Sequence, residues 1–260
     1  MKKFSKIKSL ERCKKYRTNI LKLSQNVPAL HIGGAFSCTE ILEVIYNYFL
    51  SAYEKDLFIL SKGHASILQY VILESKNIIS KNELRLYCKK NGSLGVHGEI
   101  TTRGINASTG SLGHGLAMAA GFALAEKKSK VFVVISDGEL QEGSTWEAIM
   151  LIPALKLNNV ILVVDNNNLQ SLEKTSKSHP NLYPIHSKLK SFGWHSEVCN
   201  GHDSGKIFKK IKNKNKNKPY ALVAKTIKGY PISFMKNKPI WHYKSPNKNE
   251  LNAAMEELKS

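Results

Sequence analysis

Two short apolar runs, VFVVI at 131–135 and VILVV at 160–164, constrain the fold of this sequence more than any other feature. Both are rich in β-branched residues and neither alternates with polar side chains, which marks a strand buried on both faces of a parallel sheet. The stretch between them, 144–157, reads as a helix, the crossover that parallel neighbours require. The same alternation extends both ways. Upstream, helices are expected over 9–24, where Leu10, Cys13, Ile20 and Leu21 have helical spacing, and over 39–49. A strand at Leu57–Leu60 leads through the loop 61–64 into an apolar helix ending at Leu73, and a helix of small residues covers 112–125. Downstream come a helix at 185–192, a strand at 194–198, a helix at 204–211, a strand at 220–226 and a helix at 250–258. The pattern predicts an α/β fold, a parallel sheet with helices on both faces. All 260 residues are read as a single domain, with a helical N-terminal segment at 1–25 and a C-terminal helix within 248–260.

Right-handed crossovers place the loops that follow the strands along one edge of such a sheet, where ligands bind. Two of these loops carry chemistry. Ser136-Asp137-Gly138 sets a carboxylate at a strand end beside a glycine, which lets backbone approach a phosphate. The helix after it points its N-terminus back at the same place, where free N–H groups favour an anion. The second loop, Asp165-Asn166-Asn167-Asn168-Leu169-Gln170, puts Asn167 thirty residues after Asp137. Carboxylate, amide and backbone carbonyl oxygens are hard ligands, suited to Mg²⁺ or Ca²⁺ held together with phosphate oxygens. Each loop also has a plain reading: Asp-Gly is an ordinary turn, and asparagines tolerate the left-handed geometry of turns. The pair on neighbouring strands favours a diphosphate held through a metal.

A formal net charge of +19 invites a nucleic-acid reading. The lysines are scattered, however, and culminate in the low-complexity run KNKNKNK at 212–218, without basic–aromatic alternation. The excess is therefore read as solvated faces, and no nucleic-acid partner is expected. No apolar run reaches the roughly 18 residues of a membrane span, and no apolar stretch of a signal peptide follows the basic start MKKFSKIKSL. Cys13, Cys38, Cys88 and Cys199 lie far apart with no C-x-x-C pair. That argues against a zinc or redox motif and fits reduced thiols in a cytoplasm.

Asp-Gly, thirty residues, then Asn resembles the thiamine diphosphate fingerprint, with Ser136 where the usual first glycine stands. The surrounding text resembles transketolase segments, in transketolase order: HIGGAFSCTEIL (31–42), LSKGHAS (60–66), GVHGE (95–99), TGSLGHGLAMAAGFALA (109–125), SDGELQEGSTWEA (136–148) and KTIKGYPISFMKNKPIWHYKSPN (225–247). The resemblance covers 31–247, most of the chain.

It implies a transferase that uses thiamine diphosphate and Mg²⁺ (or Ca²⁺). Asp137 and Asn167 would bind the metal through their side chains and Leu169 through its carbonyl. Gly138, His64 and His242 would contact the diphosphate, and Gly110-Ser111-Leu112 the aminopyrimidine, with serine where proline is commonest in the family. His31, His64 and His97 would ring the reactive thiazolium carbon and touch the donor sugar; His242 joins them as catalytic. Glu142 matches a glutamate that links the paired active sites across the family's dimer interface. Imidazole suits proton handling near neutrality, while the carbanion chemistry belongs to the cofactor. A lone loop histidine is more often a surface donor than a catalyst, but each of these four sits in matching text. His114, where glutamine is common in the family, and His179, His186, His195 and His202 are given no role. Met118 and its small neighbours read as helix packing.

The family's second domain carries the glutamate that protonates the aminopyrimidine, and nothing in this sequence resembles it or the third domain. The resemblance therefore implies an N-terminal subunit that needs a C-terminal partner subunit, two copies of each in a heterotetramer (α2β2), acting on sugar phosphates. The expected reaction moves a two-carbon ketol unit from a ketose phosphate to an aldose phosphate. One alternative is a transketolase-like enzyme for specialised sugars in a biosynthetic pathway. Another is a degenerate, non-catalytic protein of this fold. A relative making deoxyxylulose phosphate is disfavoured by the transketolase-like text at 225–247.

Overall fold

In a computed structural model of the chain, residues 3–50, 55–171 and 173–259 are described. Among them, five strands form one sheet: β1 Leu57–Leu60, β2 Val131–Ser136, β3 Val160–Asn166, β4 His195–Asn200 and β5 Tyr220–Lys225. Every pairing is parallel and the spatial order is β1-β2-β3-β5-β4. The helix Gly143–Ala154 connects β2 to β3, and their register sets Ser136 opposite Asp165. The two polar loops singled out in the sequence therefore leave the sheet side by side.

All of β2 and all but the last residue of β3 are buried. Successive side chains point to opposite faces, so one apolar run feeds two cores. Phe132, Val134, Ile161, Val163 and Leu222 pack on one side; Val131, Val133, Ile135, Leu162 and Val164 pack on the other. The first core is covered by the helices Lys6–Leu23, Ile32–Ser37, Thr39–Val44, Ser66–Ser75 and Ser204–Lys212. The second is covered by Gly115–Ala125, Gly143–Ala154 and Ile185–Ser191. Ala119 and Ala123 are wholly buried in this second core with Met118 packed against it, as read from the sequence.

Several boundaries moved for identifiable reasons. Ser5 caps the first helix by accepting from the Lys8 N–H, so it starts at Lys6. The stretch expected as one helix over 39–49 is α-helical only to Val44, and Ile45–Phe49 winds as a π-turn. The small-residue helix begins at Gly115 rather than 112, because Gly113 takes φ of 91° and 110–113 stays a loop. Ile32–Ser37, unforeseen, passes close to a neighbouring chain segment: a Cβ on Gly33 would lie 2.7 Å from the Trp241 carbonyl oxygen. The last helix, Lys248–Glu257, starts in a reciprocal cap between Asn247 and Glu250. No helix among the described residues is long and apolar enough to cross a membrane.

Candidate active site

A cavity of about 290 Å³ opens among the loops that follow β1, β2, β3 and β5. Lys62 and His64 come from the first of these loops, Gly138 from the second, Asn167 and Leu169 from the third and Lys228 from the fourth. His31, at the start of Ile32–Ser37, and His97, Gly110, Leu112, Glu142 and His242 complete the lining used below.

The histidines form one cluster around His31. Its ring centroid lies 5.3 Å from His64, 5.1 Å from His242 and 6.5 Å from His97, and Tyr243 packs on its outer side at 4.7 Å. Burial, and then neighbouring charged groups, push three of these imidazoles toward the neutral form: His31 falls to about 4, His242 to about 3, and His64 well below its ordinary value. Neutral rings can take a proton as well as present one. The His31 Nδ1 is buried with no hydrogen-bond partner.

Two buried lysines, assigned no role from the sequence, set the charge of the cavity. Lys62 is wholly buried and pairs with Asp165 Oδ2 at 2.5 Å while donating to the Gly34 carbonyl at 2.9 Å. Asp165 also accepts from Ser37 and Thr226. Burial opposes its ionisation, but Lys62 and these hydroxyls outweigh that and hold it below the usual carboxylate range. Lys228 differs. Its ammonium donates to the carbonyls of Leu169 (3.1 Å) and Gln170 (3.2 Å) and to Nδ1 of His242 (2.7 Å), all uncharged partners. Burial, with Lys62 nearby, lowers it to about 8. Since an ammonium only donates, Nδ1 of His242 accepts, and the neutral ring carries its proton on Nε2. A buried cation without an anionic partner is unfavourable. An anion in this cavity would relieve it.

Asp137 is wholly buried beneath the cavity. One oxygen accepts the Gly138 N–H at 3.0 Å; the other accepts the Asn168 N–H at 2.6 Å and the Tyr183 hydroxyl at 3.1 Å. Burial and the nearby Asp165 raise it to about 6, and it makes no ion pair among the described residues. Asn167 Oδ1 accepts from the Leu169 N–H at 2.9 Å. The Leu169 carbonyl already holds one cation, the Lys228 ammonium. A buried, unpaired carboxylate with amide and carbonyl oxygens beside it fits a hard divalent cation.

The structure thus brings His31, His64, His97, His242, Gly110, Leu112, Gly138, Glu142, Asn167 and Leu169 to one cavity, with Asp137 under its floor. It does not bring Ser111 there. Gly110 turns its backbone to the His97 ring, and Ser111 lines instead a separate open cavity of about 450 Å³ with Thr109, His114 and Met118. Lys62, Asp165, Tyr183 and Lys228 were missed. Both lysines sat inside quoted segments, SKGH and TIKG, but nothing separates a buried lysine from a solvated one among so many.

The chain matches the model of the transketolase thiamine diphosphate-binding domain over residues 14–258. It is 36% identical to one subunit of an apulose-4-phosphate transketolase from Actinobacillus succinogenes, covering 96% of this chain and 95% of that one. It is 31% identical to one subunit of a 6-deoxy-6-sulfo-D-fructose transketolase from a Clostridium species, covering 88% of each. The crystal structure of transketolase from Campylobacter jejuni superimposes with a TM-score of 0.89 at 26% identity over 96% of this chain, which spans 42% of that larger chain. The shared parallel sheet and the run of matching sequence lead to one conclusion: the chain belongs to the transketolase family, as its thiamine diphosphate-binding domain.

Proposed function

We propose that this chain is the cofactor-binding subunit of a two-subunit transketolase, transferring a two-carbon ketol unit from a ketose phosphate to an aldose or aldose phosphate. The observation that carries the reading is the buried Lys228 ammonium, hydrogen-bonded only to two carbonyls and the His242 ring, beside the clustered histidines: an anion site next to proton-handling groups. Thiamine diphosphate, when bound, supplies the carbanion-stabilising chemistry. Lys228, His64, the Nε2–H of His242 and the Gly138 backbone bind its diphosphate. Asp137, Asn167 and the Leu169 carbonyl would hold Mg²⁺, which would neutralise charge on the diphosphate. Gly110 and Leu112 would border the aminopyrimidine. His31 and His97 orient the ketose and exchange protons with its hydroxyls, a task suited to imidazole. Glu142, which lines the cavity, would meet the second active site in the proposed assembly.

The partner is a subunit carrying the remaining transketolase domains, in an α2β2 assembly. Support comes from the two relatives of matching length, both named as subunits. The free cysteines support a reducing compartment, and a cytoplasmic location is part of the proposal. The same relatives are named for apulose-4-phosphate and 6-deoxy-6-sulfo-D-fructose, which favours a specialised sugar over the common pentose phosphates.

The test is a coupled ketol-transfer assay with Mg²⁺ and thiamine diphosphate, run on this chain alone and with the product of the adjacent reading frame. Substrates are xylulose 5-phosphate, apulose 4-phosphate and 6-deoxy-6-sulfofructose, with ribose 5-phosphate or glyceraldehyde 3-phosphate as acceptor. Activity confined to the mixture supports the reading and its best donor names the substrate. Turnover by this chain alone overturns the two-subunit proposal.

A further inference from the structure

Glu139 lies outside the cavity lining and takes no part in the roles proposed above, yet it ties together three of the surrounding segments. It is wholly buried. Its Oε1 accepts the Gly113 N–H at 3.0 Å and the Ser61 hydroxyl, and Ser61 Oγ in turn accepts the Gly115 N–H at 3.1 Å. Its own N–H donates to Ser136 Oγ at 3.2 Å, and its carbonyl accepts from the Thr145 hydroxyl at 3.1 Å. One residue therefore fixes the loop after β1, the end of β2 and the turn before the helix Gly115–Ala125.

The turn has little room to settle elsewhere. A Cβ on Gly113 would lie 2.6 Å from Ser144 Oγ and 2.8 Å from Glu142 Cβ; one on Gly115 would lie 2.2 Å from Ser61 Oγ. At the other end of the loop, the Thr109 N–H donates to the Gly98 carbonyl at 3.1 Å, and Gly110 rests on the His97 ring. Gly110 and Leu112, which line the cavity, are thus held between two fixed ends. The second carboxyl oxygen of Glu139, Oε2, is buried with no partner. Such burial costs stability, so the carboxylate is a poor choice for packing alone. What it adds is one acceptor oxygen shared by the Gly113 N–H and the Ser61 hydroxyl, which ties the turn to the loop after β1.

We infer that Glu139 is a positioning residue, holding the 110–113 loop at the height where it meets the ring portion of the cofactor, beyond the diphosphate. The inference rests on the thiamine diphosphate reading. It separates the ligand into two parts: the diphosphate, held by Lys228 and the Asp137 loop, and the rings, bordered by a loop that Glu139 sets.

The experiment measures, by calorimetry on the full chain with Mg²⁺, the affinities for inorganic diphosphate and for thiamine diphosphate. Glu139→Ala should weaken thiamine diphosphate about tenfold, the scale of one buried hydrogen bond, and leave diphosphate unchanged. Glu139→Gln keeps an oxygen facing Gly113 and should recover most of that loss. Hydrogen exchange at the Gly113 amide should quicken in Glu139→Ala and not in Glu139→Gln. If Glu139→Ala does not fold, Glu139→Asp, which withdraws the oxygen by one methylene, must show the same selective loss. Equal weakening of both ligands, no weakening of either, or a Gln variant as impaired as Ala would each overturn the inference. A wild-type chain that binds neither ligand would overturn the cofactor reading beneath it.

Discussion

Lys228 and Lys62 are both buried in the same cavity, but their partners make them behave differently under substitution. Lys62 is neutralised by Asp165, so Lys62→Met leaves a buried carboxylate unpaired. It should cost about 3–5 kcal/mol of folding stability, read from urea unfolding. Lys228 meets only carbonyls and an imidazole, and removing it strands no counter-charge. Lys228→Met should keep or raise the thermal midpoint while weakening diphosphate binding about tenfold or more. Loss of stability without loss of binding would sink the anion assignment. The histidines add a pH signature in the ligand-free chain. Their folded-state values lie below the ordinary 6.5, so between about 6.5 and 4 the unfolded chain binds protons that the folded one refuses. Stability should therefore fall as the pH drops through that window and gain no further acid sensitivity from His31 and His242 below about 3. A His31→Gln, His242→Gln double variant should flatten the slope of thermal midpoint against pH; an unchanged slope would place the titration elsewhere. At this scale the histidines were legible because each sat in distinctive text. Lys228 was not, because its meaning lies in the uncharged groups that its ammonium touches.

One buried network shows how the helices hold these residues in place. Arg17, on Lys6–Leu23, grips Glu40, on Thr39–Val44, through contacts of 2.6 and 2.8 Å. Glu40 also meets Nδ1 of His202 at 3.1 Å, after β4, and His202 Nε2 accepts the Ile227 N–H at 2.8 Å. The Tyr230 ring stacks on His202 at 3.9 Å. The chain of contacts ends one residue before Lys228, in the loop after β5. Burial raises the Glu40 value, but Arg17 and His202 more than offset it and hold the carboxyl at about 2. Its stabilising contribution is present above the ordinary value of 4.5 and is lost as pH falls through 2. Glu40→Gln should destabilise the fold by about 3–5 kcal/mol, since it leaves Arg17 buried and unpaired. It should also remove part of the acid sensitivity between those two values. Urea unfolding at pH 7 and pH 3 checks both effects, and a loss equal at the two pH values would contradict the charge argument. None of this was visible in the sequence, where His202 was given no role. Strands are written in contiguous β-branched runs, but a network whose members lie at 17, 40, 202 and 227 leaves no local pattern. The start of the helix at Gly115 was hidden for the opposite reason: the small-residue text runs through the boundary, and only the left-handed turn at Gly113 fixes it.

Across the whole molecule, the sheet buries both its faces within this chain, yet the helices that cover the second face keep an apolar outer side. Leu124 is 50% exposed, and Met150 and Leu151 nearly as much. They lie on Gly115–Ala125 and Gly143–Ala154, which pack together, and the second of these helices begins directly after Glu142. Exposed apolar side chains on adjoining helices point to a surface that an assembly would cover. Under the two-subunit proposal this side is buried when the partner and a second copy dock, and the measured mass of the mixture should correspond to two copies of each. Leu151→Lys should lower the assembled fraction and the transfer activity together. Its folding stability as an isolated chain should stay within about 1 kcal/mol of the parent, because an exposed substitution has little to lose. Light scattering against concentration, with the assay run on the same samples, separates the outcomes. Assembly that proceeds unchanged with lysine at 151 would mean the active complex forms through another face. Assembly that fails while cofactor binding by the single chain persists would tie turnover, and not binding, to the covered surface.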